Sequence, residues 1–236
     1  MSALPRLGFA FLLASLPVLA RAAPATPARV VSTVPIGGDL PAFVVPGAPG
    51  TTTHMVFLHG RCGHAKGYAE AMANAASTRG TLVAPQGDVA CDGNGARRWS
   101  PDIEKLDARV NAALGALGEA DPASLTDIVV IGYSEGAARA EALASRWPER
   151  YSRVILIGAP SAPSAARLGA IRGAVMMAGD RDAAQESMKS AARALDAAGV
   201  PATYRVLPDA AHGEMGSRPE AVMDEALTWL DANARP

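Results

Sequence analysis

The sequence predicts an α/β domain of three layers, in which a mostly parallel, eight-stranded, doubly wound sheet carries helices on both faces and no large cap. Three observations predict it. Eight short apolar runs are spaced through residues 30–236, and the last six are separated by longer segments of helical pattern, the alternation expected of a parallel sheet. Several of these runs, such as Ala174-Val175-Met176-Met177-Ala178, are continuously apolar, as strands covered on both faces are; Val175, Met176 and Met177 are therefore core residues. Glycines and chemically useful side chains follow directly after the strands, at the sheet edge where open α/β folds bind their ligands.

Taken in order, residues 30–34 and 42–45 are β-branched and apolar stretches that read as antiparallel entry strands. The run at 55–58 leads into a glycine-containing loop, His59-Gly60-Arg61-Cys62-Gly63, and then a helix over 66–78. A strand at 81–84 opens the loop 87–95, and a helix follows over 103–117. The strand at 128–131 runs into Gly132-Tyr133-Ser134-Glu135-Gly136 and an alanine-rich helix over 135–147. After the strand at 153–157, residues 158–172 are long enough only for a loop and a short helix at 165–168, so no cap covers the sheet edge. Strands at 174–178 and 203–207 precede helices at 183–198 and 219–232.

At the amino terminus, Arg6 precedes an apolar stretch from Leu7 to Leu19, and Ala20-Arg21-Ala22 offers the small residues a signal peptidase reads. The expected organisation is a signal peptide over 1–22, a flexible lead over 23–29 and one domain over 30–236, exported to the periplasm or the medium. The apolar stretch is too short and poorly flanked for a membrane anchor. Loss of Arg6 and Arg21 would take the net charge of −1 two units further negative, so no basic face advertises nucleic acid or an anionic membrane. Oligomeric state is not legible.

The pentapeptide around Ser134 has the spacing of a nucleophile elbow: glycines two before and two after the serine let strand and helix approach closely while the hydroxyl stands clear of the sheet. The competing reading is a serine capping a helix. A serine becomes a nucleophile only with a base, and the base needs an acid to orient it. Both follow, in Gly179-Asp180-Arg181-Asp182 and in Pro208-Asp209-Ala210-Ala211-His212, each after a strand. The amide of Glu135, next to the serine, is then a natural donor to a tetrahedral oxyanion. No pair of histidines or acids has zinc spacing, so no metal is implied, and His54 reads as a surface residue at a strand start.

On these residues, from about Val30 to the carboxyl terminus, the chain resembles the α/β-hydrolases. Within them it is most similar to small lidless serine esterases of the phospholipase/carboxylesterase, polyhydroxybutyrate depolymerase-like and dienelactone hydrolase-like branches. Ser134 stands where dienelactone hydrolases carry cysteine, which favours the esterase branch. The resemblance implies Asp182, three residues past Gly179, as the acid in preference to Asp180. It also implies Arg61 as the second oxyanion donor, with Cys62 the alternative, and a structural role for His59. Related esterases place an aromatic against the substrate near Trp99, although packing against the helix below is an equal reading. His64 could edge the same cleft. Arg97 or Arg98 could meet a substrate anion, the commoner outcome being a solvated loop arginine.

The implied activity is hydrolysis of a small-molecule or oligomeric ester without a cofactor. A peptidase of the oligopeptidase type and a non-catalytic binding protein on the same fold are the alternatives. In such a fold the loops holding Cys62 and Cys91 are neighbours on the catalytic edge, and export favours a disulfide between them worth ~3 kcal/mol over two free buried thiols.

Overall fold

The computed structural model describes residues 30–91, 93 and 95–236, and the expected signal peptide (1–22) and lead (23–29) lie outside the described residues. The chain runs β1 (Ser32–Val34), β2 (Ala42–Val45), β3 (Thr53–Leu58), α1 (Ala65–Ala71), α2 (Ala73–Ser77), β4 (Gly80–Ala84), β5 (Val89–Ala90), β6 (Arg97–Arg98), α3 (Ile103–Gly115), β7 (Val129–Tyr133), α4 (Glu135–Arg146), β8 (Arg153–Ile157), α5 (Ala165–Leu168), β9 (Gly173–Gly179), α6 (Gln185–Ala197), β10 (Ala202–Leu207) and α7 (Pro219–Asn233). Eight strands form one sheet in the order β1-β2-β4-β3-β7-β8-β9-β10. Strand β2 is antiparallel to both its neighbours, and every pairing from β4 to β10 is parallel.

Alternate residues of each central strand face opposite layers, as the pleat requires. Val56, Leu58, Val130, Val154, Leu156 and Met176 join a core beneath α3, α4, α5 and α6. Met55, Phe57, Val129, Ile131, Ile155 and Met177 join a second core beneath α1, α2 and α7. Burial on both faces is why these strands read as unbroken apolar runs.

Two features depart from the sequence expectation. The helix expected over 66–78 is divided at Met72 (φ −129°, ψ 14°). Glu220 of α7 accepts hydrogen bonds from the amides of Asn74 (2.9 Å) and Ala75 (2.8 Å), supplying a cap that lets a new helix begin there. A β5–β6 hairpin lies in the loop after β4, with strands of two residues each, too short for a periodicity to register. Its strand β6 forms a bridge from Arg97 to Gly63, which ties this hairpin to the loop after β3.

Candidate active site

Ser134 occupies the turn between β7 and α4 with φ 51° and ψ −117°, a conformation that L residues adopt only under constraint. The constraint is the close crossing of strand and helix. A Cβ on Gly136 would lie 2.0 Å from the Leu58 carbonyl oxygen, and one on Gly132 would lie 2.4 Å from the Gly136 oxygen, so neither position accepts a side chain. The Ser134 amide donates to the Ile157 carbonyl of β8 at 2.8 Å, which fixes the turn to the neighbouring strand.

Three expected residues converge here. The Ser134 hydroxyl lies 3.0 Å from His212 Nε2, and His212 Nδ1 lies 2.8 Å from Asp182 Oδ2. With the carboxylate as acceptor, Nδ1 carries the proton and Nε2 is left to accept from the serine. Asp182 is buried, and its other oxygen accepts the Ala184 amide at 2.9 Å, whereas the imidazole is 50% exposed. The site is therefore open, as the short stretch between β8 and β9 predicts. Asp180 points elsewhere: its carboxylate accepts the amides of Asp209 (2.9 Å) and Ala210 (3.1 Å) and so anchors the turn leading to His212.

Sequence reasoning missed Gly158, which follows β8 with φ 54°; a Cβ there would sit 2.9 Å from Asp182 Oδ2 and 3.3 Å from the His212 ring. Its signal was available, since a glycine closing a strand at this same edge marks a close approach. Tyr68, Tyr133 and Met215, whose surroundings are described below, also went unnoticed as part of the site.

The loop after β3 is held from several sides. His59 is buried; its Nδ1 donates to the Gly60 carbonyl at 2.7 Å and its Nε2 accepts the Gly87 amide at 2.8 Å, a pairing that requires the neutral ring. Burial pushes the His59 pKa down from 6.5 to about 4, the hydrogen bond to Gly60 opposing the shift only in part. Because the folded value lies below the unfolded one, the unfolded chain binds the extra proton between these values, and stability falls as pH drops from about 6.5 to about 4. The loss amounts to about 3 kcal/mol. Thermal melting from pH 7 to pH 4 should show this slope in the native protein and a flatter one in His59→Asn, which is also less stable at neutral pH; an unchanged slope would contradict the assignment.

The amide of Arg61 has no hydrogen-bond partner among the described residues, and that of Glu135, first in α4, has no carbonyl one turn back to meet. The two residues are linked through their side chains: Arg61 Nε lies 3.8 Å from Glu135 Oε1. Arg61 is 66% exposed, so this long pair is weak. Cys62, also exposed, is joined to Cys91 with their Cα atoms 5.6 Å apart. A Cys62→Ser/Cys91→Ser variant is expected to lose about 3 kcal/mol of stability and part of its kcat. Lost stability with unchanged kcat would leave the bond a staple with no bearing on the loop's amide.

Trp99 does not line the cleft. It is 4% exposed, its indole Nε1 donates to the His59 carbonyl at 2.7 Å, and its ring packs 4.8 Å from the His59 ring. The need to satisfy a buried indole N–H turned it inward beneath the loop. Its amide donates to Glu135 Oε2 at 3.1 Å, so it braces both the loop after β3 and the start of α4 from below. Arg97 uses its guanidinium on the carbonyls of Gly87 (2.9 Å) and Asp88 (3.1 Å), which leaves Arg98 as the exposed arginine of the pair. His64 caps α1, accepting the Lys66 amide at 3.3 Å, and borders a groove of about 330 Å³ with Gly67, Tyr68, Ala71, Gly213 and Met215. His54 lies at the start of β3, remote from the cleft, with Nε2 2.8 Å from Glu119 Oε1.

No family model matches the chain, and no curated protein matches it. Solved structures do. A predicted CIB-like hydrolase from Thermoplasma acidophilum superposes with a TM-score of 0.61 at 16% identity, over 87% of this chain and 99% of that one. Esterase PE8 does so with a TM-score of 0.58 at 19% identity, over 80% and 97%. Carboxylesterase CesB (YbfK) from Bacillus subtilis gives 0.58 at 15% identity, over 86% and 92%. At these identities the likeness is one of architecture: the chain has the α/β-hydrolase fold, and its structural relatives include esterases.

Proposed function

We propose that the protein is a serine hydrolase that cleaves a carboxylic ester through an acyl-enzyme. The observation that carries this reading is the continuous chain from the Ser134 hydroxyl through the His212 imidazole to the buried Asp182 carboxylate, at 3.0 Å and 2.8 Å. In the first half-reaction Ser134 Oγ attacks the ester carbonyl carbon while His212 Nε2 takes the hydroxyl proton. Asp182 holds the imidazole in the reactive tautomer and offsets its positive charge. The amides of Arg61 and Glu135 receive the oxyanion, each such donor being worth ~3 kcal/mol in the transition state.

Collapse of the tetrahedral species breaks the bond to the alkoxy oxygen, which leaves with the proton from His212. Water then attacks the acyl-enzyme with His212 again as base, releasing the acid and restoring the serine. These steps need no cofactor.

The open edge suits a small-molecule or oligomeric ester better than long-chain lipid at an oil surface, since no lid among the described residues presents apolar area on contact. Nucleic acid is not an expected partner. The Cys62–Cys91 bond supports a location outside the cytoplasm, in the periplasm or secreted, consistent with cleavage after Ala22. No helix among the described residues is long and apolar enough to cross a membrane.

A series of p-nitrophenyl esters of increasing acyl length tests the reading on the purified protein. Turnover of short and medium chains is expected, without a jump in rate above the solubility limit. Absence of turnover across the series, together with an unreactive serine, would favour a binding protein on this fold.

A further inference from the structure

Tyr133 immediately precedes Ser134, yet its side chain serves the other end of the site. The residue is buried at the end of β7, and its hydroxyl engages the segment after His212 twice, accepting the Gly213 amide at 2.7 Å and donating to the Glu214 carbonyl at 3.3 Å. Tyr68 of α1 donates its own hydroxyl to the Gly213 carbonyl at 3.1 Å. Both polar groups of Gly213, a glycine at φ 98°, are thereby held by tyrosines. The rings stack toward the imidazole, with centroids 5.3 Å apart between Tyr68 and Tyr133 and 5.7 Å, edge-on, between Tyr133 and His212.

The imidazole has little else to hold it. Half of its surface is open to solvent, so packing alone does not set its position; its side-chain hydrogen bonds are to Asp182, which orients the ring from one side, and to Ser134, with which it would exchange a proton. Its backbone anchors therefore set where Nε2 stands relative to Ser134 Oγ: Asp180 holds the turn before it, and the tyrosines hold Gly213 directly after it. Burial pushes the Tyr133 phenol up to about 12, so the hydroxyl keeps its proton across any ordinary working range.

We propose that Tyr133, assisted by Tyr68, is a positioning residue for the base, so that the segment bearing the nucleophile also sets the distance to the histidine that activates it. This rests on the esterase reading. Removing the Tyr133 hydroxyl while keeping the ring leaves the Gly213 amide unpaired and lets the His212 backbone drift, a displacement of the kind that costs up to about 100-fold in rate.

The test is Tyr133→Phe, compared with Tyr68→Phe, in steady-state kinetics and in the rate of serine labelling by a fluorophosphonate. Tyr133→Phe is expected to lower kcat and the labelling rate by about 10- to 100-fold with KM nearly unchanged, and Tyr68→Phe to do so less. In a His212→Ala background Tyr133→Phe should produce no further loss. Unchanged kcat in a folded Tyr133→Phe protein, or an undiminished effect in the His212→Ala background, would overturn the proposal. Should Tyr133→Phe fail to fold, full activity in Tyr68→Phe would overturn it equally. An inert wild-type protein would overturn the esterase reading and this proposal together, whereas an active wild type with an unaffected variant overturns this proposal alone.

Discussion

Ser134→Ala and His212→Ala are each expected to lower kcat by about a million-fold, and the double variant is expected to be little worse than either. The reason is that in the proposed mechanism the two side chains act as one device: without its base the hydroxyl keeps its proton, and without the hydroxyl the base has nothing to activate. Neither substitution threatens the fold. Ser134→Ala relieves no clash but keeps a residue in the strained turn, and the His212 ring is half exposed. Melting temperatures close to wild type should therefore accompany the loss of turnover. Losses that multiply in the double variant would separate the two residues and sink the shared mechanism.

Asp182→Asn is expected to lower kcat by about 10⁴-fold, because an amide facing His212 Nδ1 can donate to it and so favours the tautomer whose Nε2 bears the proton and cannot accept from serine. Asp180→Asn should act differently. Its carboxylate accepts two backbone amides, and an asparagine retains one acceptor while presenting a donor to the other, a cost of about 1–3 kcal/mol in stability. Some activity would be lost as the turn before His212 loosens, but less than with Asp182→Asn. The reverse ranking in kcat at matched folded fraction would move the acid to Asp180.

The legibility of these parts follows their physics. Residues 55–58 of β3, strands β7 and β9, and residues 154–157 of β8 are covered on both faces, so they form apolar runs, and the sheet can be read without coordinates. The elbow is legible because Gly132 and Gly136 are demanded by backbone crossing, a constraint written into residue type. Trp99 was ambiguous for a corresponding reason: an aromatic in a loop can face either way, and only the position of the His59 carbonyl decides that its indole turns inward. The break at Met72 depends on Glu220, nearly 150 residues further along the chain, and no local pattern announces such a cap. The two aspartates near residue 180 differ in role because one sits beneath the imidazole and the other beneath the turn, a distinction of a few ångströms that spacing alone does not resolve.

Activation of Ser134 by His212 for attack on an acyl carbon is read out by labelling with a fluorophosphonate followed by peptide mass spectrometry. A single adduct is expected on the peptide containing Ser134, absent from Ser134→Ala and formed far more slowly in His212→Ala. A folded wild-type protein that stays unlabelled, or an adduct on another residue with Ser134 untouched, would contradict it.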